Sequence, residues 1–224
     1  MSDTERRAFA GIELRKNEKG EHVIAGHAAV FEKMSHDLGG FREKIAPGAF
    51  TRTLKSGNDV LALVNHDPNF RLGRTKNGTV RLREDQDGLA IEIDPPNTQT
   101  GRDTVEDIRT GNLDGMSFMF RTIEDDWSIE GGEEIRTLKQ IELLEAGPVT
   151  FPAYPDTSVA VRSLNAIKEK RCHAPADEPE ANESEVDEVT DCDLITADRV
   201  KEHLDTFHAR FVLAEVDHRL ATRS

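Results

Sequence analysis

The chain has 224 residues, enough for one domain with a sizeable core and an appendage, and a formal net charge of −14. That balance argues against a surface that binds nucleic acid, which needs clustered Lys and Arg to meet phosphates. Two cysteines, Cys172 and Cys192, exclude a disulfide framework and a cysteine-based zinc site. A polar start (Ser2-Asp3-Thr4-Glu5-Arg6-Arg7) lacks the apolar run of a signal peptide, and no stretch approaches the roughly 18 apolar residues of a membrane span. The expectation is a soluble protein made in a reducing cytoplasm, without nucleic acid or membrane partners.

In chain order, residues 23–31 read as a strand, followed by a loop through Gly39-Gly40. Residues 60–64 are a continuous apolar run of strand length that ends at Asn65-His66-Asp67-Pro68, where Pro68 is expected to turn the chain away. Residues 79–83 and 89–93 alternate apolar and polar side chains around Asp87-Gly88, a hairpin signal. Residues 102–110 predict a helix, with Val105 and Ile108 on one face and Gly111 as its stop. Residues 116–123 and 136–144 are expected to pair around Asp125-Asp126-Trp127 and a turn at Gly131-Gly132. Short, evenly spaced strands with few helices predict a mainly β (α+β) fold, a small closed or partly closed antiparallel barrel.

From residue 165 the composition changes. Residues 174–193 hold nine acidic side chains and no basic one. The segment 165–193 has too few large apolar groups to offset chain entropy and is expected to be a disordered acidic linker. Beyond it, Val200, Leu204, Phe207, Phe211 and Ala214 form a heptad-like stripe, so 194–224 is expected to be an amphipathic helix capped near Thr196. The expected organisation is a domain over 1–164, a linker over 165–193 and a helix over 194–224 suited to self-association or docking.

Three polar residues stand out because each follows or interrupts an apolar strand: His66, Ser117 in Gly115-Met116-Ser117-Phe118-Met119-Phe120, and Glu145 in Leu143-Leu144-Glu145-Ala146. A hydroxyl is a poor nucleophile at neutral pH; it needs an imidazole to take its proton and a third group to orient that imidazole. Alternation puts Ser117, Met119 and Arg121 on one face. Ser35, Ser128 and Ser158 have no comparable setting. Glu142, three residues before Glu145, competes for the third role. His22, His27 and His36 with Asp37 or Asp67 suggest a metal site, but no His-Glu-x-x-His pattern occurs. Gly39-Gly40 and Gly73-Arg74 are read equally as oxyanion donors or as turns.

The words around these residues resemble the prohead proteases of tailed bacteriophages. The resemblance runs through most of residues 9–162 and includes Ile24-Ala25-Gly26-His27-Ala28, Leu38-Gly39-Gly40-Phe41-Arg42-Glu43 and Ile45-Ala46-Pro47-Gly48-Ala49-Phe50. It continues through Asn65-His66-Asp67, Leu72-Gly73-Arg74-Thr75, Met116-Ser117-Phe118 and Pro148-Val149-Thr150-Phe151-Pro152-Ala153-Tyr154-Pro155. Met119 stands where the family usually has Gly, and Ala146-Gly147 replaces the commoner Val-Ser. The resemblance implies a serine endopeptidase with Ser117 as nucleophile, His66 as base and Glu145 as the third member. It implies scaffolding protein, major capsid protein and the protease itself as substrates, inside an immature head in the host cytoplasm, with no cofactor or metal. The related herpesvirus maturation proteases imply the fold, a barrel with surrounding helices. A non-catalytic scaffold-associated assembly protein and a metal-dependent hydrolase using His66-Asp67 are the rival readings.

Overall fold

The computed structural model describes residues 4–150 and 158–173. The chain divides into two units, residues 1–159 and 160–224. In the first, strands pair into two sheets. One has six strands: β1 (Glu5–Ala10), β9 (Gly115–Glu130), β10 (Glu133–Val149), β5 (Leu61–Val64) and β6 (Asp67–Arg74) in that order, with β4 (Arg42–Ile45) also on β10. The other runs β2 (Ile12–Lys16), β3 (His22–Val30), β8 (Gly88–Ile93), β7 (Val80–Glu84). The protein is thus mainly β with few helices. Two features depart from the expected antiparallel barrel. β10 runs parallel to both β4 and β5, and among the described residues no pairing closes either sheet on itself.

The long β9–β10 hairpin organises the larger sheet. Its turn, Gly131-Gly132, has φ of 61° and 85° at its two residues, conformations open to glycine without a Cβ penalty. Met116, Phe118 and Phe120 are fully buried and point into one core with Leu138, Ile141, Leu143 and Ala146 of β10. Ile24, Ala28, Leu89, Ile91 and Ile93 of the smaller sheet join the same cluster. Phe118 lies at its centre, stacked on Phe120 at 5.0 Å and edge-on to Phe50 at 5.6 Å. Burying such a side chain stabilises by about 1.5–3 kcal/mol. Because strand side chains alternate, fixing Phe118 inward fixes Ser117 on the opposite face.

The remaining elements are α1 (Thr51–Ser56), a 3₁₀ turn (Thr75–Asn77), α2 (Gln99–Thr110) and α3 (Ser158–His173). Helix α2 begins with the Thr98 hydroxyl accepting from the Gly101 amide and ends on Gly111, at φ 77°. Helix α3 continues past the expected domain boundary at 164 to His173, into the segment expected to be linker. The stretch contains no Gly or Pro, and Leu164, Ala166, Lys168 and Glu169 are good helix formers. Residues 174–193 of the expected linker and the expected helix 194–224 lie outside the described residues.

One end of the β1–β9–β10–β4 region buries charge rather than hydrocarbon. Arg7 and Arg136 are each bonded to both Glu5 and Glu43, at 2.7–3.1 Å. Arg136 also reaches Asp125 (2.6 Å) and Thr122 (2.9 Å). All four central residues are buried. Burial by itself pushes the Glu5 carboxyl up, but the charge of Arg7 and the bonds and charge of Arg136 outweigh it and hold the group below its ordinary value. The guanidiniums of Arg7 and Arg136 are correspondingly held above theirs, desolvation being outweighed by Glu43 and Glu5.

Candidate active site

Each member of the sequence-derived set sits where backbone geometry leaves little choice. Ser117 is the third residue of β9, flanked by Ala8 of β1 and Gly147 of β10. Glu145 owes its face to a bulge. Leu143 faces core-directed Phe120, yet the next residue in register with β9 is Glu145, opposite Met119, because Leu144 is skipped. A bulge adds one residue to one strand and so changes which side chain faces outward. Without it Leu144 would occupy the place beside Ser117.

His66 arrives from the other side. β5 pairs with β10 at Leu61 and Glu145, and the chain reverses at Asn65-His66 into β6, with Val64 opposite Asp67. Both turn residues have positive φ, 51° and 60°, as a two-residue type I′ turn requires. The left-handed region costs a non-glycine residue roughly 1–2 kcal/mol, least for Asn and its kind. The reversal therefore happens at Asn65-His66, not at Pro68. Pro68 instead sits inside β6, an edge strand of the sheet, where a missing N–H is tolerated.

These three approaches meet. His66 Nε2 lies 2.8 Å from Ser117 Oγ, and His66 Nδ1 lies 3.1 and 3.0 Å from the two oxygens of Glu145. A carboxylate only accepts, so the Nδ1–H donates to Glu145 and the lone pair of Nε2 faces the serine hydroxyl. The site is sheltered: the side chains of His66 and Glu145 are 13% and 5% exposed, and Ser117 is 2% exposed. The Ser117 hydroxyl has a second acceptor, the Arg7 carbonyl of β1, at 2.9 Å.

The competing candidates fall elsewhere. Glu142 lies opposite Arg121 and pairs with it at 3.1 Å, on an exposed stretch of the hairpin. Asp67 accepts the Asn69 amide, a local turn bond. Among the described residues the group whose ligand atoms converge enough for a metal is His27, Asp85 and Asp87, not His66. There His27 Nε2 sits 3.0 Å from Asp85, and Asp85 also accepts the amides of Asp87 and Gly88. The amides of Gly39 and Gly40 both donate to Asp37. Gly73 pairs with Ala62 inside the sheet, and Arg74 is ion-paired with Asp59.

Two features of the site carry no loud signal in the sequence. Asn65 bonds across to Thr150 and Pro148. Gly147 admits β5 at very short range, since a Cβ there would stand 2.0 Å from the Leu63 carbonyl oxygen. The asparagine was legible only as a residue that tolerates left-handed backbone, the glycine only as one inside a strand pattern.

A serine hydroxyl, an imidazole and a carboxylate in line are the arrangement that a serine hydrolase requires. A family model described as the caudovirus prohead serine protease matches residues 10–170, and the chain belongs to that family. It is a serine peptidase of phage capsid maturation. No curated protein matches the chain. Among solved structures it is similar to the capsid assembly protease of bacteriophage T4, gp21, with 11% identity and a TM-score of 0.41. That likeness covers 64% of this chain and 98% of the other.

Proposed function

We propose that Ser117, His66 and Glu145 form the catalytic triad of an endopeptidase that trims scaffolding protein, the major capsid protein and itself within the prohead. The observation that carries this reading is the unbroken chain Ser117 Oγ–His66–Glu145, at 2.8 and 3.0 Å. Ser117 Oγ attacks the scissile carbonyl as His66 Nε2 takes its proton. The imidazolium, steadied by Glu145, then gives that proton to the leaving amine as the C–N bond breaks, leaving an acyl-enzyme. Water repeats the cycle in reverse order: His66 takes its proton, the ester is cleaved and Ser117 is restored. No metal enters these steps.

The two sheets are read as the open form of a barrel of the herpesvirus maturation protease type. The sequence supports a division of labour: the acidic stretch 174–193, with nine acids and no base, is proposed as a site of self-cleavage. The apolar stripe Val200, Leu204, Phe207, Phe211 and Ala214 is proposed to recruit the enzyme to scaffold or capsid protein in the assembling head in the host cytoplasm.

The test is processing by purified full-length protein, alone and mixed with its scaffold and capsid proteins, followed by intact mass. The wild-type chain is expected to generate discrete fragments with or without chelator, and Ser117→Ala none. Undiminished cleavage by Ser117→Ala overturns the assignment, and loss with chelator restored by zinc points to metal chemistry. Removal of residues 174–224 is expected to leave peptide cleavage intact and to abolish entry into heads.

A further inference from the structure

Two consecutive left-handed residues at the tip of a hairpin do not hold an imidazole in place unaided. The β5–β6 ladder is irregular where it approaches the tip, with register shifts between Ala62 and Leu63 and between Leu63 and Val64. The parallel pairing of β5 with β10 is confined to Leu61 and Glu145. Both ladders are thus short or irregular next to the Asn65-His66 turn.

Asn65 supplies what the ladders lack. Its backbone N–H donates to the Pro148 carbonyl at 3.0 Å. Its side-chain Oδ1 accepts the Thr150 amide at 2.9 Å, and its Nδ2 donates to Thr150 Oγ1 at 3.1 Å. One residue thus makes three bonds to Pro148 and Thr150, at and just past the end of β10. That same strand carries Glu145, and its Gly147 lies opposite Ser117. Bolting the turn to the end of β10 therefore references the imidazole to the strand that frames both of its partners. Asparagine suits the place twice over: it tolerates positive φ, and its amide both donates and accepts.

We infer that Asn65 is a positioning residue of the active site, acting through His66 and anchored on Thr150. The inference rests on the catalytic reading of Ser117, His66 and Glu145 given above. The bonds of Asn65 go to Thr150 and Pro148, not to Ser117 or Glu145. Its contribution is geometric, because bonds of 2.8 and 3.0 Å do not survive a displacement of the ring by about 1 Å, a shift that commonly costs about 100-fold in rate.

The experiment uses the full-length protein and an alkyl fluorophosphonate, a probe that reports nucleophile activation without a known peptide substrate. Ser117 Oγ bonds to phosphorus, fluoride leaves with the P–F electron pair, and the serine proton passes to His66. Labelling is followed by intact mass across probe concentrations, separating the maximal rate kinact from the half-saturating concentration KI, and folded fraction is measured by thermal melting. Asn65→Ala is expected to lower kinact about 10- to 100-fold, with KI within about threefold of wild type and the protein still folded. Asn65→Gly, which relieves any backbone strain but restores no side-chain bond, is expected to be equally slow. A wild-type kinact in Asn65→Gly, or a loss in Asn65→Ala that merely follows its folded fraction, overturns the inference. Ser117→Ala separates the two levels: labelling of that variant at the wild-type rate defeats the catalytic reading itself, whereas an unlabelled Ser117→Ala beside a fast Asn65→Ala defeats only the role of Asn65.

Discussion

Two buried polar clusters flank strands β9 and β10, and the contrast between them is instructive. Toward the hairpin turn, Glu5, Arg7, Glu43 and Arg136 interlock with full charges, each carboxylate shared by two guanidiniums. Toward the other end, Ser117, His66 and Glu145 form a line in which one hydroxyl proton has two acceptors within reach. The first cluster is saturated and fixes strands; a partner lost there leaves a buried charge alone. The second leaves one proton uncommitted, which is a requirement for moving it. Saturation serves stability and incompleteness serves chemistry, within one sheet.

The contrast breaks hardest at the catalytic end. His66→Ala is expected to lower the cleavage rate by on the order of 10⁴-fold or more while leaving the melting temperature close to wild type, measured by fragment mass and thermal melts. A large drop in stability with modest loss of rate makes His66 structural. Glu145→Gln removes the charge and puts an N–H donor where only acceptors select the Nδ1–H tautomer, and is expected to cost about 10³- to 10⁴-fold, with the protein still folded.

At the saturated end the effects reverse in kind. Glu5→Gln strips a charge from two buried arginines and is expected to destabilise by about 3–5 kcal/mol in chemical denaturation, while the residual folded protein cleaves at the wild-type rate. Acid tests the same cluster without mutation. The folded Glu5 carboxyl is held below its unfolded value, so its contribution is complete above the ordinary carboxylate range and fades as pH falls through the lower, folded value. Unfolding curves collected down the acid limb should show that loss in wild type and a shallower one in Glu5→Gln. The smallest effect belongs to Glu142→Gln, an exposed partner of Arg121, expected to change stability by about 0–1 kcal/mol and rate within about twofold. A large loss of rate in Glu142→Gln with an active Glu145→Gln transfers the third role to Glu142.

Local pattern carried most of the architecture. The Asp87-Gly88 hairpin, helix α2 with its Gly111 stop and the pairing of β9 with β10 were readable because turn chemistry and apolar periodicity agree there. β1 was illegible for a physical reason: its inward residues are Glu5 and Arg7, charges that satisfy each other only once Glu43 and Arg136 arrive from distant parts of the chain. The parallel neighbours of β10 were equally hidden, since register between strands 70 or more residues apart leaves no local trace. At the site, the three residues were legible as polar interruptions of apolar strands. The skipped Leu144 and the left-handed Asn65-His66 turn were not, although both decide which side chains meet.

The Arg7 carbonyl gives the serine a second resting position. Were a hydrogen to sit on His66 Nε2, that atom would change from acceptor to donor and present an N–H to Ser117 Oγ. The hydroxyl hydrogen then turns to Arg7, 2.9 Å away, and no polar atom of the sheltered site is orphaned. The second position is a parked state, not damage: the bond to Arg7 is already built into the sheet, and returning the hydroxyl to His66 refolds nothing.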